Sequence, residues 1–354
     1  MKESFLPALL GLIAVVVLVL RAFNIVSETG IRSSPTPEPE QRESSVTFLA
    51  VGDVNLGREV GQRILSGDTL FPFARVAKKF KEYDIVFANL ECTLSDQKGE
   101  TQHPRNNLIF TGPPEGAWSL KQGGVTVVST ANNHSLDYGI SALAQTIDNL
   151  EAAGVPFVGT SLDSATLYDP IIMKSHDISI AFIAFTDVMN ITDPIWKRYV
   201  ASSDTSRLLP AIRSAGDIAD FVVVSYHGGE EYTEKPTRRT TWLADQVVMA
   251  GADLFLGHHP HVPHGMEANN GKLTVYSLGN FVFRQPFTFW TQWSFAVSVI
   301  ITKDEKGTRI SLFECVPASV GLQPTFEITD QEASVVLERV KTLSNVNGAG
   351  GGVW

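Results

Sequence analysis

Five short apolar runs, each ending in a polar cluster, constrain this 354-residue chain more than any other feature. Residues 46–51 lead into Gly52-Asp53-Val54-Asn55-Leu56-Gly57-Arg58, and residues 84–88 into Asn89-Leu90-Glu91. Residues 125–129 lead into Thr130-Ala131-Asn132-Asn133-His134-Ser135-Leu136-Asp137. Residues 221–226 run into His227-Gly228-Gly229-Glu230-Glu231-Tyr232, and residues 252–256 into Gly257-His258-His259-Pro260-His261. Runs of this length, apolar without alternation, read as strands buried on both faces. The Gly and Pro that follow mark turns. An open α/β sheet gathers its ligands outside the carboxyl ends of its strands, and the polar clusters fall there.

Helical spacing occupies the intervals. It covers residues 71–83, 115–122, 140–153, 207–219, 237–251 and 331–343. In the third, Ile140, Leu143, Ala144, Ile147 and Leu150 form one apolar stripe, closed by Gly154. Further strands are expected at 107–110, 272–277, 294–302 and 309–316, with 171–173 and 178–185 as a hairpin around His176-Asp177. Strands alternate with helices over the first two-thirds and then dominate. This predicts a layered α/β fold with a substantial sheet core.

The two ends have different chemistry. Residues 5–20 carry no charge, a little short of the roughly 20 residues that span a bilayer. Snorkelling of Arg21 lets residues 22–26 extend the span, and no small-x-small cleavage site is obvious. Residues 1–26 therefore predict one uncleaved transmembrane helix, a signal anchor in the cell membrane with the main domain on the extracellular side. Residues 27–45 contain Ser33-Ser34-Pro35-Thr36-Pro37-Glu38-Pro39-Glu40, an extended spacer that cannot bury a core. The folded domain is expected over 46–321, followed by a C-terminal helix and flexible tail over 322–354. A net charge of -10 argues against a nucleic-acid binder. The only cysteines, Cys92 and Cys315, make no disulfide framework.

The five strand ends together supply Asp53, Glu91, Asn133 with His134, His227, and His259 with His261. This mixture of carboxylate, amide and imidazole suits Mn, Fe, Zn or Mg better than a thiolate site would. A two-metal hydrolytic centre needs a bridging carboxylate and terminal His, Asp and Asn ligands, with ions roughly 3.5–4 Å apart. A further His nearby can protonate a leaving oxygen. Each residue alone has a plain structural reading: Asp53 as a turn cap, Glu91 as a loop acid, Asn133 as a turn residue, His227 as an ordinary strand end.

The same segments, with Tyr276-Ser277-Leu278-Gly279-Asn280-Phe281-Val282-Phe283 farther on, resemble the CapA family over residues 45–283 in matching order. That family is linked to bacterial capsule and poly-γ-glutamate biosynthesis or export, and its domain resembles the calcineurin-like metallophosphoesterases. The resemblance implies a layered α-β-β-α sandwich of the metallophosphoesterase type and two divalent ions. It implies Asp53 and His261 on the first metal, Glu91 bridging, and Asn133, His227 and His259 on the second. His134 would act as the acid over the leaving group, and Arg58 would pair with an anionic group of the ligand. Asn55 stands where the phosphoesterase pattern has a second His, and is expected as a weaker ligand to the first metal. Ser135 replaces an acid that often follows the Asn-His pair, with Asp137 close by.

The expected function is that of a membrane-anchored component of capsule or poly-γ-glutamate biosynthesis or export. Its extracellular domain would handle an anionic surface polymer beside other membrane components of that machinery. Lys235, Arg238 and Arg239 are candidates for polymer contact. The alternative is an active dinuclear hydrolase of a cell-surface phosphoester or related bond. A third reading is a scaffold with a vestigial His cluster.

Overall fold

The computed structural model describes residues 44–346 and 351–353. The expected anchor over 1–26 and most of the expected spacer over 27–45 lie outside the described residues. Among those described, no helix is long and apolar enough to cross a membrane.

Two large sheets carry the fold. The first runs in the order Gly351–Val353, Gly307–Ser319, Trp293–Asp304, Ser44–Val54, Ile85–Leu90, Val127–Ser129, Phe157–Val158. Its last four strands are parallel, and Trp293–Asp304 pairs antiparallel on both sides. The second runs in the order Asn345–Val346, Met266–Asn269, Lys272–Val275, Leu254–His258, Phe221–His227, Ile178–Thr186, Ile171–Ser175. Its four parallel strands are Lys272–Val275, Leu254–His258, Phe221–His227 and Ile178–Thr186.

Strand period explains the layering, because successive side chains point to opposite faces. Phe48 and Phe87 of the first sheet meet Phe182 of the second, at ring separations of 6.3 and 6.1 Å. Val46, Ala50, Val223 and Leu256 join the same inter-sheet core. The intervening residues, Leu49, Val51, Val86 and Val128, pack outward against Val60, Ile64, Leu120 and Leu150. Those four lie on the helices Arg58–Leu65, Gly116–Gly123 and Gly139–Ala153. On the far side Val222, Val224 and Phe255 pack against Ile212, Leu243 and Val247 of helices Thr205–Ile218 and Arg238–Ala250. The order of layers is thus helix, sheet, sheet, helix.

Several local expectations are corrected. Residues 71–83 form only a 3₁₀ turn, Phe71–Phe73, and a short helix, Ala77–Phe80, with Pro72 setting the first turn. Residues 107–110 form no strand: Asn106 Oδ1 accepts the Leu108 N–H at 3.0 Å, an Asx turn that competes with extended pairing. The two-residue strand is Thr111–Gly112, paired with Thr93–Leu94. Ser44 and Ser45, read as the end of the spacer, already pair in the first sheet. Gly351–Val353, read as flexible tail, adds an edge strand parallel to Gly307–Ser319. The helix Asp330–Leu343 buries Val336 and Val340 in the inter-sheet core.

Candidate metal centre

Both sheets present the carboxyl ends of their parallel strands at one edge, and the ladder registers do the positioning. Asp53 lies beside Asn89, and Asn89 beside Ser129. In the second sheet His258 lies beside His227, and His227 beside Thr186. Strand Asn280–Val282 pairs parallel with the end of Ser44–Val54, placing Asn280 beside Asp53. Close approach there depends on Gly52, where a Cβ would fall 1.9 Å from the Gly279 carbonyl oxygen.

Asp53 is fully buried and well supplied with partners. Asn89 Nδ2 donates to its Oδ1 at 2.9 Å. His258 Nδ1 stands 3.2 Å from Oδ1, and His261 Nδ1 3.3 Å from Oδ2. Burial alone would push the Asp53 pKa up, but His258 and His261 outweigh it and hold the carboxylate well below its usual range.

Glu91 is the opposite case. It is fully buried, yet neither carboxylate oxygen has a hydrogen-bond partner. Its Oε1 faces three imidazoles: His227 Nε2 at 3.7 Å, His261 Nε2 at 3.7 Å and His134 Nε2 at 3.9 Å. These separations exceed hydrogen-bond range. Burial, then the charges of Asp53 and Glu231, push the Glu91 pKa well above the usual carboxylate range. A buried carboxylate without partners is costly, and a ring of nitrogens held just too far away leaves room for a cation.

The donor set fits that cation. Glu91, His227 and His259 bring ligand atoms within 4.8 Å of one another, and so do Asp53, Glu91 and His261. The two groups share only Glu91. Burial, with His259 as the next cause, pushes the His227 pKa well below the usual imidazole value. Burial and His261 push His259 down to about 3. Both rings therefore stay neutral, the form that binds a metal. The turn carrying His259 and His261 is strained, with φ of 96° and 59°. Such conformations cost of order 1–3 kcal/mol each in non-Gly residues and cluster at functional sites.

His134 completes the cluster. Its Nδ1 lies 2.7 Å from Asp137 Oδ2, and its ring stacks on Phe110 at 4.2 Å. Since a carboxylate oxygen accepts, Nδ1 carries the proton and Nε2 faces Glu91. The Asn-Asn-His turn is pinned to the neighbouring strand by Asn132 Nδ2, which donates to the Leu90 carbonyl at 2.7 Å. Ser135 locks the turn internally, donating to the carbonyls of Thr130 and Asn132. Asn133 Oδ1 lies 2.8 Å from His227 Nε2, and its Nδ2 donates to Asn190 Oδ1 at 3.1 Å.

Arg58 sits at the rim. Its guanidinium lies over the rings of Phe110 and Phe283, at 4.7 and 5.4 Å, and donates to the Asn107 carbonyl at 3.0 Å. Asn55 lies beside Asp53 at the strand end, with its side chain in a turn. Its Oδ1 accepts the Gly57 N–H at 2.7 Å, and its buried Nδ2 has no partner. The oxygen of Asn55 thus braces a turn with one of its two lone pairs. Arg239 is paired with Asp187 at 3.0 Å. Cys92 and Cys315 are free and buried.

Residues that the motif reading passed over hold the expected ligands in place. Asn89 Nδ2 reaches His227 Nδ1 at 3.1 Å as well as Asp53. Asn280 Oδ1 stands 2.9 Å from His261 Nδ1. Asn89 was discoverable as the residue two before Glu91, and Asn280 as the polar residue in an otherwise apolar segment.

The fold and cluster together define an α/β sandwich protein with a buried, candidate divalent-metal centre at the strand ends. The bacterial capsule synthesis protein PGA_cap family matches residues 47–285, and the chain belongs to that family. It is 31% identical over 314 residues to the capsule biosynthesis protein CapA of Bacillus anthracis, covering 86% of this chain and 75% of that one. It is 34% identical over 285 residues to the PGA biosynthesis protein CapA of Bacillus subtilis (strain 168), covering 76% and 72%. A solved structure, a hypothetical protein from Thermus thermophilus, aligns with 77% of this chain and 99% of its own at 16% identity, TM-score 0.46.

Proposed function

We propose that this chain serves capsule or poly-γ-glutamate biosynthesis or export, as a membrane-anchored protein. Its described domain, of the metallophosphoesterase type, handles the anionic polymer outside the cell through a dinuclear metal centre. Family membership supports the pathway. The observation that carries the metal centre is Glu91, a buried carboxylate with both oxygens unpartnered and shared by two ligand groups. Asp53 and His261 would hold one ion with Glu91; His227, His259 and the Asn133 oxygen would hold the other. When bound, such ions polarise a phosphoryl or carbonyl oxygen and acidify water. Asn89 and Asn280 keep the ligand imidazoles oriented, and the two-sheet edge fixes the carboxylates relative to them. An anchor over 1–26 and a spacer ending before Ser44 would set the domain off the membrane surface. Deletion of the gene in a polymer-producing strain is expected to remove surface polymer; unchanged polymer defeats this reading.

The His134–Asp137 pair favours a second reading, hydrolysis of a phosphoester or related bond. With Nδ1 held on Asp137, His134 Nε2 is the atom that faces the cluster and can exchange a proton with a group bound there. Metal-dependent turnover on a phosphoester panel tests it, and a folded, metal-loaded protein inert throughout the panel counts against it.

A further inference from the structure

We propose that an arginine-lined groove beside the metal centre binds an extended polycarboxylate chain and leads it to the rim of the cluster. The inference rests on the polymer reading above and assigns it a second site. Two recesses adjoin, sharing Glu59, Phe283, Arg284 and Leu322 in their walls. The inner one is bounded by Asn55 and Arg58, close in sequence to Asp53. The outer one, about 450 Å³, adds Arg63 and Arg75. Together they hold four arginines, and Glu59 is the only acid among the residues lining them. In a chain of net charge -10, this concentration of positive charge is local and needs an explanation.

Arg63, Arg75 and Arg284 are exposed, and among the described residues none has a carboxylate within ion-pair distance. Among the described arginines only Arg239 and Arg309 are paired with an aspartate; what sets Arg63, Arg75 and Arg284 apart is that all three line one recess. Guanidinium groups without carboxylate partners, that of Arg63 lying over the Phe71 ring at 5.4 Å, match a ligand with repeated anionic groups, since each planar fork takes one carboxylate. The groove floor also connects to the cluster. Buried Gln285 accepts from Asn280 Nδ2 at 3.1 Å, and Asn280 Oδ1 stands 2.9 Å from His261 Nδ1. A chain lying in the outer recess is therefore separated from a metal-ligating imidazole by two side chains.

The test compares the full-length chain with the triple variant Arg63→Gln, Arg75→Gln, Arg284→Gln, using a fluorescently labelled γ-linked glutamate oligomer. A control neutralises three lysines on other surfaces, Lys174, Lys306 and Lys341, to match net charge. The triple variant is expected to bind about tenfold more weakly, with a flatter salt dependence, while the control binds like the parent. Metal content and melting temperature stay at parent values in both, which separates loss of binding from misfolding. Equal binding by the triple variant and the parent overturns the groove and leaves the polymer reading standing. Preference for a size-matched polyphosphate overturns the carboxylate assignment. Absence of oligomer binding by the parent also overturns the groove; the polymer reading is then judged separately by the deletion strain.

Discussion

Glu91→Gln separates the structural and metal-binding roles of the buried carboxylate, because it preserves shape and removes only charge. Without metal, Glu91 is a liability. Burial and the charges of Asp53 and Glu231 raise its pKa from an unfolded value near 4.5. The sign follows: an acid whose folded pKa is raised favours the folded state below the unfolded pKa, and that contribution is lost as pH rises. In chelator at neutral pH, Glu91→Gln should therefore be at least as stable as the parent. With metal the order reverses, since Glu91 belongs to two of the three candidate ligand groups, the third being Glu231, His259 and His261. An ion at a hundredfold excess over its Kd adds about 2.7 kcal/mol of stability per site. For a domain of this size about 2 °C accompanies each kcal/mol, giving about 5 °C per site and about 10 °C for both. Thermal melts with and without Mn or Zn, paired with metal analysis, provide the assay. The parent should show the full shift, His259→Ala about half, and Glu91→Gln almost none. A Glu91→Gln protein that retains the shift and its metal, or that is severely destabilised in chelator, refutes the reasoning.

Three further outcomes follow from other parts of the structure. His134→Ala should lower any metal-dependent turnover by about 10²-fold or more while metal content is unchanged, since Nε2 faces the cluster and Nδ1 is spent on Asp137; equal turnover removes His134 from proton transfer. Phe182→Ala should cost about 3–5 kcal/mol in urea unfolding, because that ring packs against both Phe48 and Phe87 across the sheet interface; a loss below about 1 kcal/mol would contradict the packed two-sheet core. His264 is buried with Nδ1 unpartnered, and burial, only partly offset by the Thr233 carbonyl, pushes its pKa down to about 4. Its contribution is whole above about pH 6.5 and fades as pH falls toward 4, up to about 3 kcal/mol. His264→Gln should flatten that acid limb in chelator relative to the parent, and identical limbs exclude the effect.

The parts of the fold legible in the sequence are those written in long apolar runs. Phe221–His227 and Leu254–His258 are buried at every position, so their residues carry no alternation to misread. The polar residues just past such strands were visible for the same reason: a parallel strand must stop where it meets water or ligand. Short strands were not legible. Phe157–Val158 has two residues, too few for any period to register. Met266–Asn269 did carry a usable signal, the Asn270-Gly271 turn joining it to Lys272–Val275, with both turn residues at positive φ.

Within the site, legibility depended on whether a residue's role is set by its own chemistry or by its neighbours. Imidazoles and carboxylates are natural metal ligands, so Asp53, Glu91, His227, His259 and His261 stood out as a set at five strand ends, although each alone has a plain structural reading. Amides do not, because the same group serves as ligand, as hydrogen-bond relay or as turn residue, and only geometry chooses. Asn133 reaches His227, Asn89 bridges Asp53 and His227, and Asn55 turns its oxygen to Gly57. The Asn55 orientation has a consequence for the centre's asymmetry. The group around His259 has two imidazoles and Glu91, with the Asn133 oxygen beside His227, whereas the group around Asp53 has one imidazole and two carboxylates. Carboxylate-rich sites favour harder ions such as Mg or Mn, and imidazole-rich sites favour Zn or Fe. If two ions bind as proposed, the two positions should differ in metal preference, with the Asp53 side the more easily emptied by chelator. The Gly57 N–H holds one lone pair of the Asn55 oxygen at the start of the Arg58–Leu65 helix, which fixes the direction from which that oxygen could reach an ion.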